Sequence, residues 1–134
     1  MTSRRLLAGV VLVSAASLAV TATAQASLKL IVVNRNHTTN SPITTKLTAK
    51  PGDVVESCAI AMNATGSPMS AITLSLPLPL FGDYVAGSLT LDDLPLTDAA
   101  DADAGQVQGG TVTVRMPSLA LDGVSIACYR LKVR

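Results

Sequence analysis

Three carboxylates crowd one short stretch of the chain: Asp98, Asp101 and Asp103 precede Gly105 in the run TDAADADAG. Carboxylates so placed can supply the flexible oxygen cage that calcium takes. The spacing D-x-x-D-x-D-x-G departs from the EF-hand loop and no glutamate closes it, so a solvated acidic hairpin loop is the competing and simpler account. General-base chemistry would fall to His37, the single histidine, which sits in a polar stretch with no cysteine near it in sequence. The serines and threonines form no nucleophile motif, and a triad would need a base that only His37 supplies. The expectation is a protein that is not an enzyme and holds no cofactor, calcium at the three aspartates being the one candidate. Lys46, Glu56 and Asn63 are residue types that can form an isopeptide cross-link, although no spacing rule singles them out. Asn36-His37-Thr38 and Asn63-Ala64-Thr65 fit the glycosylation sequon, a pattern common by chance.

Cys58 and Cys128 are the only thiols. In an exported chain an even count favours one internal disulfide, with two buried thiols or bonds to neighbouring subunits as the alternatives. Export itself is read from the N-terminus. Arg4 and Arg5 form a positive region, Leu6 to Val20 an apolar core expected to be helical, and Ala24-Gln25-Ala26 a small-residue cleavage site. Residues 1–26 are therefore expected to be a signal peptide, and the same apolar stretch kept as a membrane anchor is the alternative. The 108 residues from Ser27 to Arg134 suit one domain with one core. With Arg4 and Arg5 set aside, that domain carries eight bases against nine acids, a balance that favours neither nucleic acid nor an anionic membrane as partner. Nothing after Ala26 is long and apolar enough to span a bilayer.

The elements that must position these residues read as strands. Apolar runs are short, several alternate with period two, and Gly, Pro, Asn and Asp punctuate them. Ser27 to Val33 alternates Leu28, Leu30 and Val32 against Lys29, Ile31 and Val33. Asn34 to Pro42 reads as a polar loop, Ile43 to Thr48 as extended, and Pro51-Gly52-Asp53 as a turn. Strands are expected over Val54 to Met62, Ala71 to Leu76, Ser88 to Leu91, Thr111 to Met116 and Val124 to Val133. Ala127, Tyr129, Leu131 and Val133 fall on one face of the last strand, with Cys128, Arg130 and Lys132 on the other. About seven short antiparallel strands in a domain of this length suggest an all-β fold of two packed sheets. Phe81, Tyr84 and Tyr129 are its only aromatics, so aliphatic side chains must fill most of the core.

From Leu47 to Val133 the chain resembles the conserved-repeat module of bacterial and archaeal surface proteins called domain of unknown function eleven. The motifs that carry the likeness are Pro51-Gly52-Asp53, Asn63-Ala64-Thr65-Gly66, Leu74-Ser75-Leu76-Pro77, Tyr84-Val85-Ala86-Gly87-Ser88-Leu89, and the acidic loop Asp98 to Val112 with its Gly109-Gly110-Thr111-Val112 end. The resemblance implies an immunoglobulin-like antiparallel β-sandwich used for spacing, adhesion or wall architecture. It also implies that Ser57 and Ala59 point inward, so that Cys58 and Cys128 would meet across neighbouring strands on one outer face. This chain departs from the pattern in being a single copy, in carrying an extra residue near Asn63, and in having cysteines where the family tends to have threonine. Alternation alone leaves the face of Cys58 open, because Cys58, Ile60 and Met62 are the more apolar set of their strand. A bulge at the extra residue would change which set faces inward.

These readings converge on an exported structural or adhesive module at the cell surface, in the extracellular space or the periplasm. Its partners would be proteins, either further copies of itself or other surface proteins. The segment containing Leu28, Leu30, Ile31, Val32 and Val33, apolar on both faces and followed by a long polar link, is expected either to pair with its own sheet or to add to the edge of the next subunit. Strand donation of that kind would build a filament. The alternative is a monomeric binding module that recognises a protein or glycan through its loops.

Overall fold

In the computed structural model the described residues are 11–14, 19–21, 28–101 and 103–134. They form strands and turns, with no helix among them. The strands are β1 (Val11–Ser14), β2 (Ala19–Thr21), β3 (Leu28–Asn36), β4 (Lys46–Ala49), β5 (Val54–Asn63) and β6 (Met69–Pro77). They continue with β7 (Gly82–Tyr84), β8 (Thr90–Leu91), β9 (Leu94–Pro95), β10 (Gly105–Gln108), β11 (Thr111–Leu119) and β12 (Val124–Val133). A larger antiparallel sheet runs β3-β5-β12-β8-β9, with β7 also paired to β12, and a smaller one runs β10-β11-β6-β2. β1 and β4 form a separate two-stranded sheet, and Leu47 and Ala49 of β4 pack with Val55 and Val133 of the larger one.

The two larger sheets share one core. Ile72, Leu74, Val112, Val114 and Met116 of the smaller sheet meet Ala59, Ala61, Ala127, Tyr129 and Leu131 of the larger one, all buried. This complementarity of size explains the orientation of β5. Its buried positions are Val55, Ser57, Ala59, Ala61 and Asn63, mostly small, which leaves room for the large aliphatics opposite. The more apolar set, Cys58, Ile60 and Met62, lies on the outer face and is only half-buried. The alternation is unbroken to Asn63, and β5 contains no bulge.

Two expectations change. The helix expected over Leu6 to Val20 is not seen: the described residues there, Val11–Ser14 and Ala19–Thr21, are strands. Val11 to Ser14 pairs with β4, and Ala19 to Thr21 pairs with β6 at Thr73 to Ser75. Their β-branched residues suit an extended backbone, and the open edges of β4 and β6 supply hydrogen-bond partners. The cleavage site Ala24-Gln25-Ala26 lies outside the described residues. The second change is at β3, which continues to Asn36 instead of ending at Val33. Asn34 and Asn36 are buried there with side-chain partners: the Ser57 hydroxyl donates to Asn34 Oδ1, while Asn34 Nδ2 has no partner among the described residues, and Asn36 Nδ2 donates to Asp53 Oδ2 at 2.7 Å.

Asn63 holds one end of the fold. Its Nδ2 donates to the carbonyls of Ser67 (2.8 Å), Leu119 (3.1 Å) and Ala120 (3.1 Å), and its Oδ1 accepts from the backbone and hydroxyl of Thr65. One buried amide thereby ties the loop after β5 to the loop before β12. At the other end Gly52, with φ +90°, lets the Pro51-Gly52-Asp53 turn fold back so that its N–H reaches the Val133 carbonyl at 2.8 Å.

Candidate functional site

The outer face of the larger sheet is built in rows by its strand register. Lys29, Met62 and Val124 form one row, and Ile31, Ile60 and Ile126 the next. Val33, Cys58, Cys128 and Thr90 follow, then Arg35, Glu56 and Arg130. Each strand contributes alternate residues because successive side chains point to opposite faces. The inner halves of the same strands, including Leu28, Leu30 and Val32, pack against the core. Ile31 is 42%, Ile126 38% and Val124 52% exposed, while Val33, Ile60, Met62 and the two cysteines are half-buried, so the three rows reach solvent chiefly through Ile31, Ile126 and Val124. At strand spacings of about 4.8 Å and row spacings of about 7 Å they cover on the order of 300 Å². An exposed apolar patch of that extent on a sheet is often functional.

Cys58 and Cys128 face each other directly across β5 and β12 and are joined by a disulfide, their Cα atoms 4.1 Å apart. The pairing was legible as one of several options; the register of two strands 70 positions apart makes it geometrically direct. Next to it, Glu56 is shared by two guanidiniums, with Arg35 Nη2 at 3.4 Å from one oxygen and Arg130 Nε at 3.4 Å from the other. Arg35 Nε is buried without a hydrogen-bond partner among the described residues. Two cations thus share one carboxylate at the border of the apolar rows.

The acidic loop is organised by its own backbone. Asp98 accepts from the Tyr84 hydroxyl at 2.6 Å and from the Gly87 N–H at 2.8 Å. Asp103 accepts from the N–H groups of Thr97 (2.6 Å) and Gly105 (2.9 Å), and Asp101 accepts from the Thr97 hydroxyl and the Asp103 N–H. The Thr97 N–H, followed by that of Gly105, holds the Asp103 carboxyl below the usual carboxylate range. Burial, reinforced by the Asp98 acceptor, pushes the Tyr84 phenol up. Arg115 crosses from β11 to donate to the Asp103 carbonyl at 2.7 Å. Among the described residues no three His, Cys, Asp or Glu side chains form a group able to hold a metal ion. Gly105 is required at the end of the loop, since a Cβ there would lie 2.7 Å from Leu89 and 2.8 Å from Leu96.

The other sequence candidates are dispersed. His37 is exposed on a turn, its backbone N–H bonded to the Val54 carbonyl. Lys46 is exposed on β4, while Glu56 and Asn63 lie on opposite faces of β5, Glu56 paired with arginines and Asn63 buried with its amide engaged. The segment Leu28 to Val33 pairs along its whole length with β5 of the same chain. Sequence reasoning did not single out the row Ile31, Ile60 and Ile126, because its members come from three strands whose registers the sequence leaves open. The one available signal was the apolar outer set Cys58, Ile60 and Met62. Comparison with protein-family models, with curated proteins and with solved structures finds no match for this chain.

Proposed function

We propose that this chain is an exported, non-enzymatic, immunoglobulin-like β-sandwich that serves as a structural or adhesive subunit at the cell surface, resembling the repeat module called domain of unknown function eleven. The observation that carries the reading is the outer face of the larger sheet. There Ile31 and Ile126 stand exposed on either side of the half-buried Ile60, next to a cross-strand disulfide, a surface suited to burial against another protein. A disulfide suits an oxidising compartment. The one carboxylate between its strands, Glu56, is held by Arg35 and Arg130, and the side chains beside it are aliphatic, which supports a role in contact. Among the described residues no helix is long and apolar enough to cross a membrane. Assembly is read from the outward half of Leu28 to Val33, since donating the whole strand would break its pairing with β5.

The test is to express the full chain and follow its location, its mass and its state of association. The expected product lies outside the cytoplasmic membrane, starts at Ser27, lacks free thiols, and forms species larger than a monomer by light scattering. Recovery from the cytoplasm at full length with reduced cysteines overturns export. An exported product that stays monomeric at high concentration transfers the reading to a solitary binding module for a protein or glycan.

A further inference from the structure

We propose that the outer face of the larger sheet docks a second copy of this chain, head to tail, through the tip of the β8–β9 hairpin. The proposal rests on the assembly reading above and names its contact. The face is apolar with a border that is basic on balance: Lys29 and Lys132 are exposed on it, Lys132 opposite Asp83, and Arg35 and Arg130 have only Glu56 between them. Its complement is an exposed apolar residue next to a carboxylate, and the chain carries that pair at the hairpin tip. Leu94 is 68% exposed, and Asp93 makes no hydrogen bond or ion pair among the described residues.

The tip is held in shape. Asp92 and Asp93 adopt φ of 49° and 66°, two successive left-handed residues that close the tight turn between β8 and β9. Asp92 is fixed to β12, accepting from the Ile126 N–H at 2.8 Å and the Ser125 hydroxyl at 3.0 Å. That leaves Asp93 without a partner among the described residues at the turn and the exposed Leu94 next to it, on the side of the hairpin that carries Leu91. Rows on a sheet face are about 7 Å apart, so a carboxylate seated on the Arg35 and Arg130 row sets the adjoining leucine over the row of Val33 and the disulfide, against the edge of the Ile31, Ile60 and Ile126 row. Because β8 and β9 continue the same sheet, the tip lies beside its own face, and the face it can cover belongs to another copy. Face and tip are different patches, so the contact is heterologous and propagates. Its area is small against the roughly 800 Å² per partner of a standard interface, so association is expected at high concentration.

The experiment compares the exported wild-type protein with Leu94→Glu, Ile31→Glu and Ile126→Glu by light scattering across a concentration series. Thr113→Glu on the smaller sheet serves as control. Wild type and control are expected to associate, and each of the other variants to remain at monomer mass with the thermal midpoint of a folded protein. An equimolar mixture of Leu94→Glu and Ile31→Glu is expected to regain a species of twice the monomer mass, since each retains one half of the contact. Association that survives in Leu94→Glu and in both isoleucine variants overturns this contact while leaving assembly intact. A wild type that stays monomeric overturns the assembly reading and the contact with it. Binding of that monomer to anionic vesicles, lost in Ile31→Glu, would assign the face to a lipid surface.

Discussion

The two sheets present opposite outer faces to solvent. On the larger sheet the outward rows are isoleucine, valine and a disulfide, bordered by Arg35, Glu56 and Arg130. On the smaller sheet the outward positions are Ser75 opposite Thr113 and Thr73 opposite Arg115. Both sheets turn an apolar inner face to the same core, yet only the smaller sheet follows the pattern of apolar inside and polar outside. The inner positions of β5 are small because the aliphatics of the smaller sheet need the space. Outward hydrophobicity on the larger sheet is therefore not explained by the core, and it is the observation on which the assembly proposal rests.

The comparison is most sharply broken at the disulfide. Replacing Cys58 and Cys128 by alanine removes a cross-link spanning 70 positions and is expected to destabilise by about 4 kcal/mol on the loop-entropy account. The matched outer pair on the smaller sheet, Ser75→Ala with Thr113→Ala, is expected to stay within about 0.5 kcal/mol. Denaturant unfolding of both double variants measures the difference, and equal midpoints would remove the asymmetry. Second in size is Asn63→Ala, which removes the amide donor from the Leu119 carbonyl in buried surroundings and from the part-buried carbonyls of Ser67 and Ala120, and is expected to cost about 3 kcal/mol. Hydrogen exchange should show the loops before β6 and before β12 opening together.

On the smaller sheet, Ala71 lies within β6 at φ 54°, a left-handed conformation that penalises a Cβ. Ala71→Gly is expected to stabilise by about 1 kcal/mol, an unusual sign for glycine in a strand, and a fall in the thermal midpoint would refute it. The smallest effect is on acid stability. Backbone N–H donors, from Thr97 for Asp103 and from Lys50 for Asp53, hold both carboxyls below the usual carboxylate range. Folded pKa values below the unfolded one contribute stability that is present above pH 4 or so and is lost as pH falls through the folded values. Unfolding midpoints measured downward from neutral pH should decline in that acid window. Asp103→Asn should flatten the decline, and an unchanged slope would contradict the loop hydrogen bonds.

Much of the architecture was legible. The alternation in Val54 to Met62 and Val124 to Val133 located two central strands, and turn residues such as Pro51-Gly52-Asp53 marked their ends. The acidic loop read correctly as a punctuation between strands, but its final residues form β10, which pairs with β11. From sequence alone β3 ends at Val33, because Asn34 and Asn36 look like loop residues until Ser57 and Asp53 are seen to hydrogen-bond them within the strand. The expected helix over Leu6 to Val20 rested on hydropathy, which does not distinguish a helix from an edge strand when partners are within reach.

Local pattern thus determined that this chain would form short strands, which residues share a face of each, and where the turns fall, since these depend on a period of two and on backbone preferences within a few residues. Which face is the inside depended on volume: Ser57, Ala59 and Ala61 turn inward only because Ile72, Leu74 and Met116 approach from the other sheet. The same tertiary register set Cys58 against Cys128 and lined Ile31, Ile60 and Ile126 across three strands. A surface of that kind is a property of strands distant in sequence, and it exists only once they are side by side.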